Sequence, residues 1–261
     1  MLIAQISDTH YLTDGTTLAN QFNTAAAFTQ LIKAIAQQPM QPDLILFSGD
    51  VGERATPEEY RTVGNALRAL GIPVRIVPGN HDAREVMQAE LPDMTGIESN
   101  HLCLFDDGFD IAIIGLDTSK EGQPSGHLCP ERLDWLEHKL ARVKDRPVVI
   151  FMHHPPITTG LDAMDRMGLV EGKDQLSELV RQHGKVEAIL CGHMHRSIFG
   201  RFAGVPVQVA PSASHQIAFD LREKEPYRFS HEPAQYLMHL WSERDGLISH
   251  TVSVNTDYHP L

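Results

Sequence analysis

The chain contains 261 residues, of which 42 % are hydrophobic, and carries a formal net charge of −12. This length permits one large domain, or one domain with a smaller appendage. The negative charge disfavours a long nucleic acid as partner, because binding to a phosphate backbone needs clustered Lys and Arg. A small phosphate ester stays possible, since bound cations would reverse the local field.

The cysteines and the apolar runs indicate the cellular compartment. Three cysteines, Cys103, Cys129 and Cys191, are widely spaced, which argues against a disulfide framework and fits a reducing environment. We see no cationic leader before the first predicted strand, and the apolar runs are far shorter than the roughly 20 residues that span a bilayer. We therefore expect a soluble, cytoplasmic protein with no membrane partner.

Strand-like and helix-like patterns alternate from the first residues to about residue 190. The predicted strands cover residues 2–7, 43–48, 73–77, 111–116, 148–152 and 186–190. The predicted helices cover residues 20–38, 57–70, 83–91, 130–143 and 174–183. The second helix has Thr56 as its N-cap and Pro57 at its first position. Such alternation favours a largely parallel, buried sheet with helices on its faces.

The pattern changes after Gly192. Further strands are predicted at residues 198–202, 205–209, 235–241 and 247–254, with tight turns at Gly204 and Gly246. The polar segment 220–233 contains prolines, and we interpret it as a long loop or an oligomer contact. The chain therefore divides into residues 1–195 and a β-rich C-terminal part, residues 196–261.

Five predicted strands of the first part are each followed by a polar motif. These motifs are Asp8-Thr9-His10, Gly49-Asp50, Gly79-Asn80-His81-Asp82, His153-His154-Pro155-Pro156 and Gly192-His193-Met194-His195. Residues i and i+2 of an extended segment point the same way, so both can reach one ion. Each motif alone is typical of a turn or a cap. All of them in this order, at strand ends where α/β proteins place their sites, indicate a common function.

The order D-x-H, G-D, G-N-H-D, H-H-P-P, G-H-x-H resembles that of the calcineurin-like metallophosphoesterases. It is most similar to their branch of bacterial class III cyclic-nucleotide phosphodiesterases and glycerophosphodiesterases. The resemblance runs from Leu2 to at least His195 and extends to the segment 211–216. It implies an α/β fold, an αββα sandwich with helices outside a central pair of β-sheets. In that fold, residues 1–195 form the catalytic core and residues 196–261 complete the second sheet.

The resemblance also implies two divalent metal ions. The first ion is expected to bind Asp8, His10, Asp50 and His195. The second is expected to bind Asp50, Asn80, His193 and one histidine of the pair His153-His154. The resemblance favours His153, although the sequence alone does not separate the two. Imidazole and carboxylate ligands suit iron, zinc, manganese or cobalt better than calcium. Because Asn80 is neutral, we expect the second ion to bind more weakly.

The expected activity is hydrolysis of a small phosphodiester, either a glycerophosphodiester or a cyclic nucleotide, by a metal-bound hydroxide. The resemblance implies that the catalytic residues are Asp50, Asn80 and His81, with His81 beside the leaving-group oxygen as a proton donor or hydrogen-bond donor. The alternative for His81 is a supporting histidine held by Asp82. His81 and Asn80 are also predicted to bind substrate, together with His215 and, from a glycine-bearing loop, Ser125. His215 could instead contact only a metal ligand.

Other readings of the sequence are less favoured. A phosphomonoesterase would use the same metals, and a non-catalytic scaffold is disfavoured because every ligand position is filled. No G-x-S-x-G elbow or P-loop is present. The segment 156–173, with Met164 and Met167, is a mobile lid or a plain surface connection. The branch forms oligomers, so we expect at least a dimer. The remaining histidines we interpret as structural or surface residues: His101, His138, His183, His231, His239, His250 and His259.

Overall fold

A computed structural model describes residues 1–13, 15–96 and 100–256. The helices are α1 (Thr24–Ala36), α2 (Pro57–Arg68), α3 (Arg84–Glu90), α4 (Pro130–Arg142), α5 (Asp162–Asp165) and α6 (Lys173–His183). The strands up to residue 191 are β1 (Leu2–Ile6), β2 (Leu44–Phe47), β3 (Val74–Ile76), β4 (Leu104–Asp106), β5 (Ala112–Leu116), β6 (Gly126–His127), β7 (Val148–Met152), β8 (Leu169–Glu171) and β9 (Val186–Cys191). The later strands are β10 (Ile198–Phe202), β11 (Val205–Val209), β12 (Gln216–Ile217), β13 (Phe229–Ser230), β14 (Gln235–Ser242) and β15 (Gly246–Ser253).

The structure contains two mixed sheets, whereas strand-helix alternation by itself favours a largely parallel sheet. One has the order β15-β14-β1-β2-β3 and the other β10-β11-β9-β7-β5-β4. Parallel pairing joins β1, β2 and β3 in the first sheet, and β5, β7, β9 and β11 in the second. The C-terminal part adds two strands to each sheet, β10 and β11 to one and β14 and β15 to the other. The sequence assigned that part to the second sheet only.

The core explains why the sheets stack between helices. Along β2, Leu44 and Leu46 face the other sheet, whereas Ile45 and Phe47 pack with residues of α1 and α2. Strands buried on both faces read as continuous apolar runs, as this one does. The same alternation occurs along β7, where Val149 faces the other sheet. This layering confirms the predicted αββα sandwich.

The helix termini show where local sequence decides a boundary. α1 begins at Thr24, four residues later than predicted, because the Asn23 side chain accepts a hydrogen bond from the Ala26 amide at 2.9 Å. α2 begins as predicted, with a reciprocal capping box between Thr56 and Glu59. No helix in the described part of the chain combines the length and the apolarity needed to cross a membrane.

Candidate metal centre

The predicted ligands lie at the carboxyl ends of strands from both sheets. They are Asp8 and His10 after β1, Asp50 after β2, Asn80 after β3, His153 after β7, and His193 and His195 after β9. Five of them have a positive φ, from 43° at His10 to 71° at His193. A left-handed backbone is uncommon outside glycine and costs on the order of 1–3 kcal/mol per residue. Such strain at one place is characteristic of a functional site.

Neighbouring loops hold these strained turns together. The Asp8 amide donates to the Gly49 carbonyl at 3.0 Å, and the His10 amide donates to the Asp50 carbonyl at 3.1 Å. The backbone at Gly79 passes directly over Asp50, so that a Cβ there would lie 2.2 Å from Asp50 Oδ1. Glycine is therefore required before Asn80 by close approach.

Four side chains form the first half of the centre. One donor atom from each of Asp8, His10, Asp50 and His195 lies within 4.8 Å of the others. His10 Nε2 is 3.2 Å from His195 Nε2 and 3.5 Å from Asp50 Oδ2. His195 Nε2 is 3.5 Å from Asp8 Oδ1. Two carboxylates and two imidazoles thus converge on one small volume.

The second half shares Asp50 with the first. His153 Nε2 lies 3.3 Å from Asp50 Oδ2 and 3.2 Å from Asn80 Oδ1. The His193 ring centroid is 5.1 Å from that of His153, and the His193 amide donates to Asp8 at 3.0 Å. Asp50 therefore stands between the two groups of donors.

The contacts of His153 and His154 distinguish the two histidines as candidate ligands. His154 Nδ1 lies 2.7 Å from the Thr118 hydroxyl, and its Nε2 lies 3.2 Å from the Pro124 carbonyl. Both nitrogens of His154 are therefore engaged away from Asp50. His153 presents Nε2 to Asp50 while its Nδ1 lies 2.7 Å from the Ser48 carbonyl. One donor atom from each of His153, His154 and His193 lies within 4.8 Å of the others. Of the pair, His153 contacts Asp50 and Asn80, so the contacts favour His153 as the ligand.

Other imidazoles of the centre are oriented in the same way. His10 Nδ1 lies 2.7 Å from Glu53 Oε2, and His195 Nδ1 lies 3.2 Å from the His215 carbonyl. Such contacts fix which ring nitrogen faces a metal and are typical of metal-binding histidines. Glu53 was missed from the sequence, although a carboxylate three residues after Asp50 and close to the same strand end was a usable signal.

The chemistry of these groups fits two divalent cations. His193 Nε2 is buried and has no hydrogen-bond partner, a costly arrangement unless another group binds it. Mixed imidazole, carboxylate and amide oxygen donors suit first-row transition metals. Nε2 of His10, His153 and His195 lies 3.3–3.5 Å from a carboxylate oxygen, and such a grouping of nitrogen and oxygen donors is what a divalent cation requires.

His81 lies beside this centre and is held by Glu53. Its Nδ1 is 3.2 Å from Glu53 Oε2 and 3.4 Å from the Glu53 carbonyl. Burial lowers the pKa of His81, but the Glu53 and Asp50 carboxylates outweigh it and raise that pKa to about 10. Asp82 instead accepts hydrogen bonds from the Val51 and Gly79 amides. The alternative that the sequence left open, in which Asp82 holds His81, therefore names the wrong partner, because Glu53 contacts His81 instead.

A cavity of about 230 Å³ opens over the metal centre. Its polar side consists of Asp50, Glu53, Asn80 and the histidines His10, His81, His193, His195 and His215. The rest of the lining, which we call the apolar wall, consists of Leu18, Pro124, Met164, Met167, Ile217, Tyr227 and Phe229. The aromatic members of this wall were not predicted from the sequence.

The predicted substrate-binding residues differ in position. His215 lines the cavity, and its ring centroid is 4.5 Å from that of His195. The loop containing Ser125 reaches the cavity through Pro124 instead, because the Ser125 hydroxyl is 3.1 Å from His127 Nε2. Met164 and Met167 of the segment 156–173 also line the cavity. The mobility of that segment stays a prediction.

Some remaining histidines have clear structural partners. His239 is buried, with Nδ1 2.6 Å from the Ser249 hydroxyl and Nε2 3.1 Å from Gln5 Oε1. The His231 ring packs on Phe22 with centroids 4.4 Å apart. His259 lies outside the described residues. These positions agree with a structural role for His239 and His231.

Comparison with known proteins gives the family. Residues 1–197 match the sequence profile described as calcineurin-like phosphoesterase. A protein of Arcobacter nitrofigilis, named a probable glycerophosphodiester phosphodiesterase, is 37 % identical over 252 residues, which cover 96 % of this chain and 92 % of the relative. A probable cyclic nucleotide phosphodiesterase of Rhodopseudomonas palustris is 30 % identical, with 98 % and 94 % covered.

Solved structures share the fold. The crystal structure of a dimetal phosphatase from Danio rerio has a TM-score of 0.68 and 14 % identity, and covers 97 % of this chain and 99 % of its own. At that identity the likeness concerns the fold. The family and branch that the motifs indicate are confirmed by the sequence relatives. The chain belongs to the calcineurin-like phosphoesterase family.

Proposed function

We propose that this protein hydrolyses phosphate diesters with the help of two divalent cations. The observation that carries the proposal is the convergence of donor side chains from five strand ends around Asp50, beside a cavity whose remaining lining is apolar. The names of its relatives, glycerophosphodiester and cyclic nucleotide phosphodiesterases, support the same substrate class. Either kind of diester is compatible with the proposal.

The apolar wall favours diesters over monoesters. A diester has two organic groups and one negative charge, whereas a monoester has one organic group and more charge. The charged side chains that line the described cavity all lie on its polar side, around the metal centre. The wall is therefore suited to an uncharged organic substituent, because burying charge without a partner is costly.

In the proposed arrangement the cations occupy the two halves of the centre. The first would be held by Asp8, His10, Asp50 and His195, and the second by Asp50, Asn80, His153 and His193. When bound, such ions stabilise charge on phosphoryl oxygens and lower the pKa of coordinated water to near neutrality. Iron, manganese, zinc and cobalt are the metals that these donors suit.

The residues of the chain then position the ester. The Asn80 amide group and His81 border the same cavity and would hold the phosphoryl group above Asp50. Glu53 engages His81 Nδ1, so Nε2 is the nitrogen that would donate a proton to the departing oxygen. As the P–O bond breaks, that proton converts the leaving alkoxide into an alcohol.

The central experiment measures hydrolysis of bis(p-nitrophenyl) phosphate and p-nitrophenyl phosphate. Protein stripped of metal is assayed with manganese, cobalt, zinc or iron, beside Asp50→Asn and the exposed control Asp110→Asn. We expect metal-dependent turnover that prefers the diester and is lost in Asp50→Asn only. A preference for the monoester would reassign the protein as a phosphatase, and metal binding without turnover would indicate a scaffold.

Metal titration tests the two halves of the centre separately. The first half has two carboxylates, Asp8 and Asp50, whereas the second has only the shared Asp50, because its other donors, Asn80, His153 and His193, are not carboxylates. Fewer charged ligands weaken cation binding, so we expect the second ion to bind at least about tenfold more weakly. Calorimetry that yields two equally tight sites would contradict this. The mass in solution tests the accompanying proposal of a homo-oligomer.

A further inference from the structure

We infer that the apolar wall selects phosphodiesters that carry a flat aromatic ring, and that Phe229 and Tyr227 are the specificity-determining residues. This inference rests on the proposed function. It concerns which organic group is accepted beside the phosphate, whereas the metal centre concerns the bond that is broken.

The first observation is the exposure of the two rings. Tyr227 is 47 % exposed and Phe229 is 39 % exposed, although both line the cavity above the metal centre. They come from β13 and the loop that joins it to β12. Large apolar side chains left open to water at the mouth of a site mark a surface that binds something.

The second observation is that Phe229 is held in place by other rings. It makes edge-to-face contacts with His215 at 5.0 Å, Phe22 at 5.8 Å and Tyr227 at 5.8 Å, measured between ring centroids. Edge-to-face packing of this kind stabilises aromatic clusters. The ring is therefore pre-positioned, and a further ring is the partner that extends such a cluster most naturally.

The third observation is the short distance from the wall to the metal centre. The His215 centroid lies 5.0 Å from that of Phe229 and 4.5 Å from that of His195. A single imidazole thus separates the aromatic cluster from a predicted ligand. A substituent joined directly to the phosphate, or one short linker away, would contact the wall.

The chemistry of the wall favours a ring over a polyol. Glycerol hydroxyls need hydrogen-bond partners when they lose water, and the wall offers Met164, Met167 and Ile217 beside the two rings. Thioethers make favourable contacts with aromatic rings and adapt to their shape. The cavity, at about 230 Å³, lies below the ~300 Å³ that marks the lower end of ordinary ligand pockets. A compact diester with one ring beside the phosphate fits these features.

The test keeps the leaving group constant. Phenyl p-nitrophenyl phosphate, glyceryl p-nitrophenyl phosphate and methyl p-nitrophenyl phosphate all release p-nitrophenolate, so only the retained group differs. We expect kcat/KM for the phenyl ester to exceed that for the glyceryl ester by about tenfold or more, the scale of discrimination in an apolar pocket. Phe229→Ala and Tyr227→Ala should each reduce this ratio several-fold. Phe229→Leu keeps an apolar side chain without a ring and should reduce it as well.

Phe199→Ala is the matched control, because Phe199 is 66 % exposed and lies on β10, away from the cavity lining. It should leave the ratio unchanged. Thymidine 5′-(p-nitrophenyl phosphate) separates the sources of a ring: a higher kcat/KM than for the phenyl ester identifies a nucleobase, and a lower one identifies a simple aryl group. Melting temperatures show whether each variant is folded.

The outcomes separate this inference from the proposed function. If none of the esters is hydrolysed with any metal, both the proposed function and this inference are overturned. Equal kcat/KM for the phenyl and glyceryl esters, with a ratio that Phe229→Ala does not change, would overturn the inference and leave the phosphodiesterase intact. The same result with a changed oligomeric mass would assign the exposed rings to contact between copies, which also overturns it.

Discussion

The metal centre and the apolar wall line one cavity but are built in different ways. The metal centre lies at the ends of sheet strands and is buried, and five of its predicted ligands have a left-handed backbone. The wall comes from loops, the short helix α5 and the two-residue strands β12 and β13, and its aromatic rings remain open to water. The comparison shows that the sheet strands position the groups for the chemical step, whereas the connecting segments determine which substrate is accepted.

The difference follows from how each region is supported. Backbone hydrogen bonds join Asp8 to Gly49 and His10 to Asp50, so the strained turns after β1 and β2 stabilise each other. By contrast, β12 and β13 form a separate two-stranded sheet within the described residues, paired at Gln216–Ser230 and Ile217–Phe229. Substitutions at the metal centre should therefore lower kcat/KM severely for every substrate. Substitutions at the wall should change the ratio of kcat/KM between substrates.

The largest effect is expected for Gly79→Ala. A Cβ at this position would meet Asp50 Oδ1 at 2.2 Å and the Asp50 amide nitrogen at 2.6 Å, so Asp50 must move. Displacement of about 1 Å at a reactive centre costs about 100-fold in rate, and we expect at least that loss in kcat/KM together with reduced metal content. The control Gly108→Ala, where the nearest atom is Asp106 Oδ1 at 3.2 Å, should retain full activity. Normal metal content and turnover in Gly79→Ala would contradict the rigidity of this region.

Glu53→Gln should loosen the metal centre without filling space. The carboxylate holds Nδ1 of His10 at 2.7 Å and of His81 at 3.2 Å. Loss of a partner behind a metal ligand typically costs about 10–100-fold in metal affinity or activity, and kinetics with metal titration should show a loss in that range. Glu171→Gln is the matched control, because Glu171 makes a similar 2.9 Å contact with His127 at the surface. Unchanged activity and metal affinity in Glu53→Gln would show that Glu53 does not orient the ligand His10.

His81→Ala tests a residue on the boundary between the two regions. If His81 donates a proton, its loss should matter for alkyl leaving groups, for which general acid catalysis is worth about 100-fold or more. An activated p-nitrophenyl ester needs little protonation and should lose much less. Rates measured for a series of leaving groups give the dependence directly. Equal losses across the series would leave His81 with a positioning role only.

The same contrast explains how far the sequence could predict the molecule. The long strands and helices follow from periodicity, and the polar motifs are found at the strand ends that this periodicity predicts. The αββα class and the ligand set follow from the resemblance of these motifs to the calcineurin-like metallophosphoesterases. The short elements β4, β6, β8, β12 and β13 have two or three residues each, too few for a period to show. Strand-helix alternation also does not show where the chain passes from one sheet to the other.

The wall was missed for a related reason. Tyr227 and Phe229 lie in a polar, proline-bearing segment without apolar periodicity. The position of Phe229 depends on its contact with Phe22, some 200 residues away in the chain, and Tyr227 packs on Phe229. Glu53 is likewise defined by its contact with His10, 43 residues away. Contacts of this kind are set by the tertiary fold rather than by local sequence.

Ser125→Ala should have the smallest effect and sharpens the boundary of the wall. The hydroxyl lies 3.1 Å from His127 Nε2, and Pro124 is the residue of this loop that lines the cavity. Removing a partly exposed hydrogen bond outside a site changes stability by about 0.5 kcal/mol, so kcat/KM for each p-nitrophenyl diester should stay within about twofold. Phe229→Ala, measured in parallel, shows that the assay detects a change in the wall. A large rise in KM for Ser125→Ala alone would mean that the loop changes conformation when substrate binds. The sequence-based assignment of Ser125 to the substrate site would then be correct.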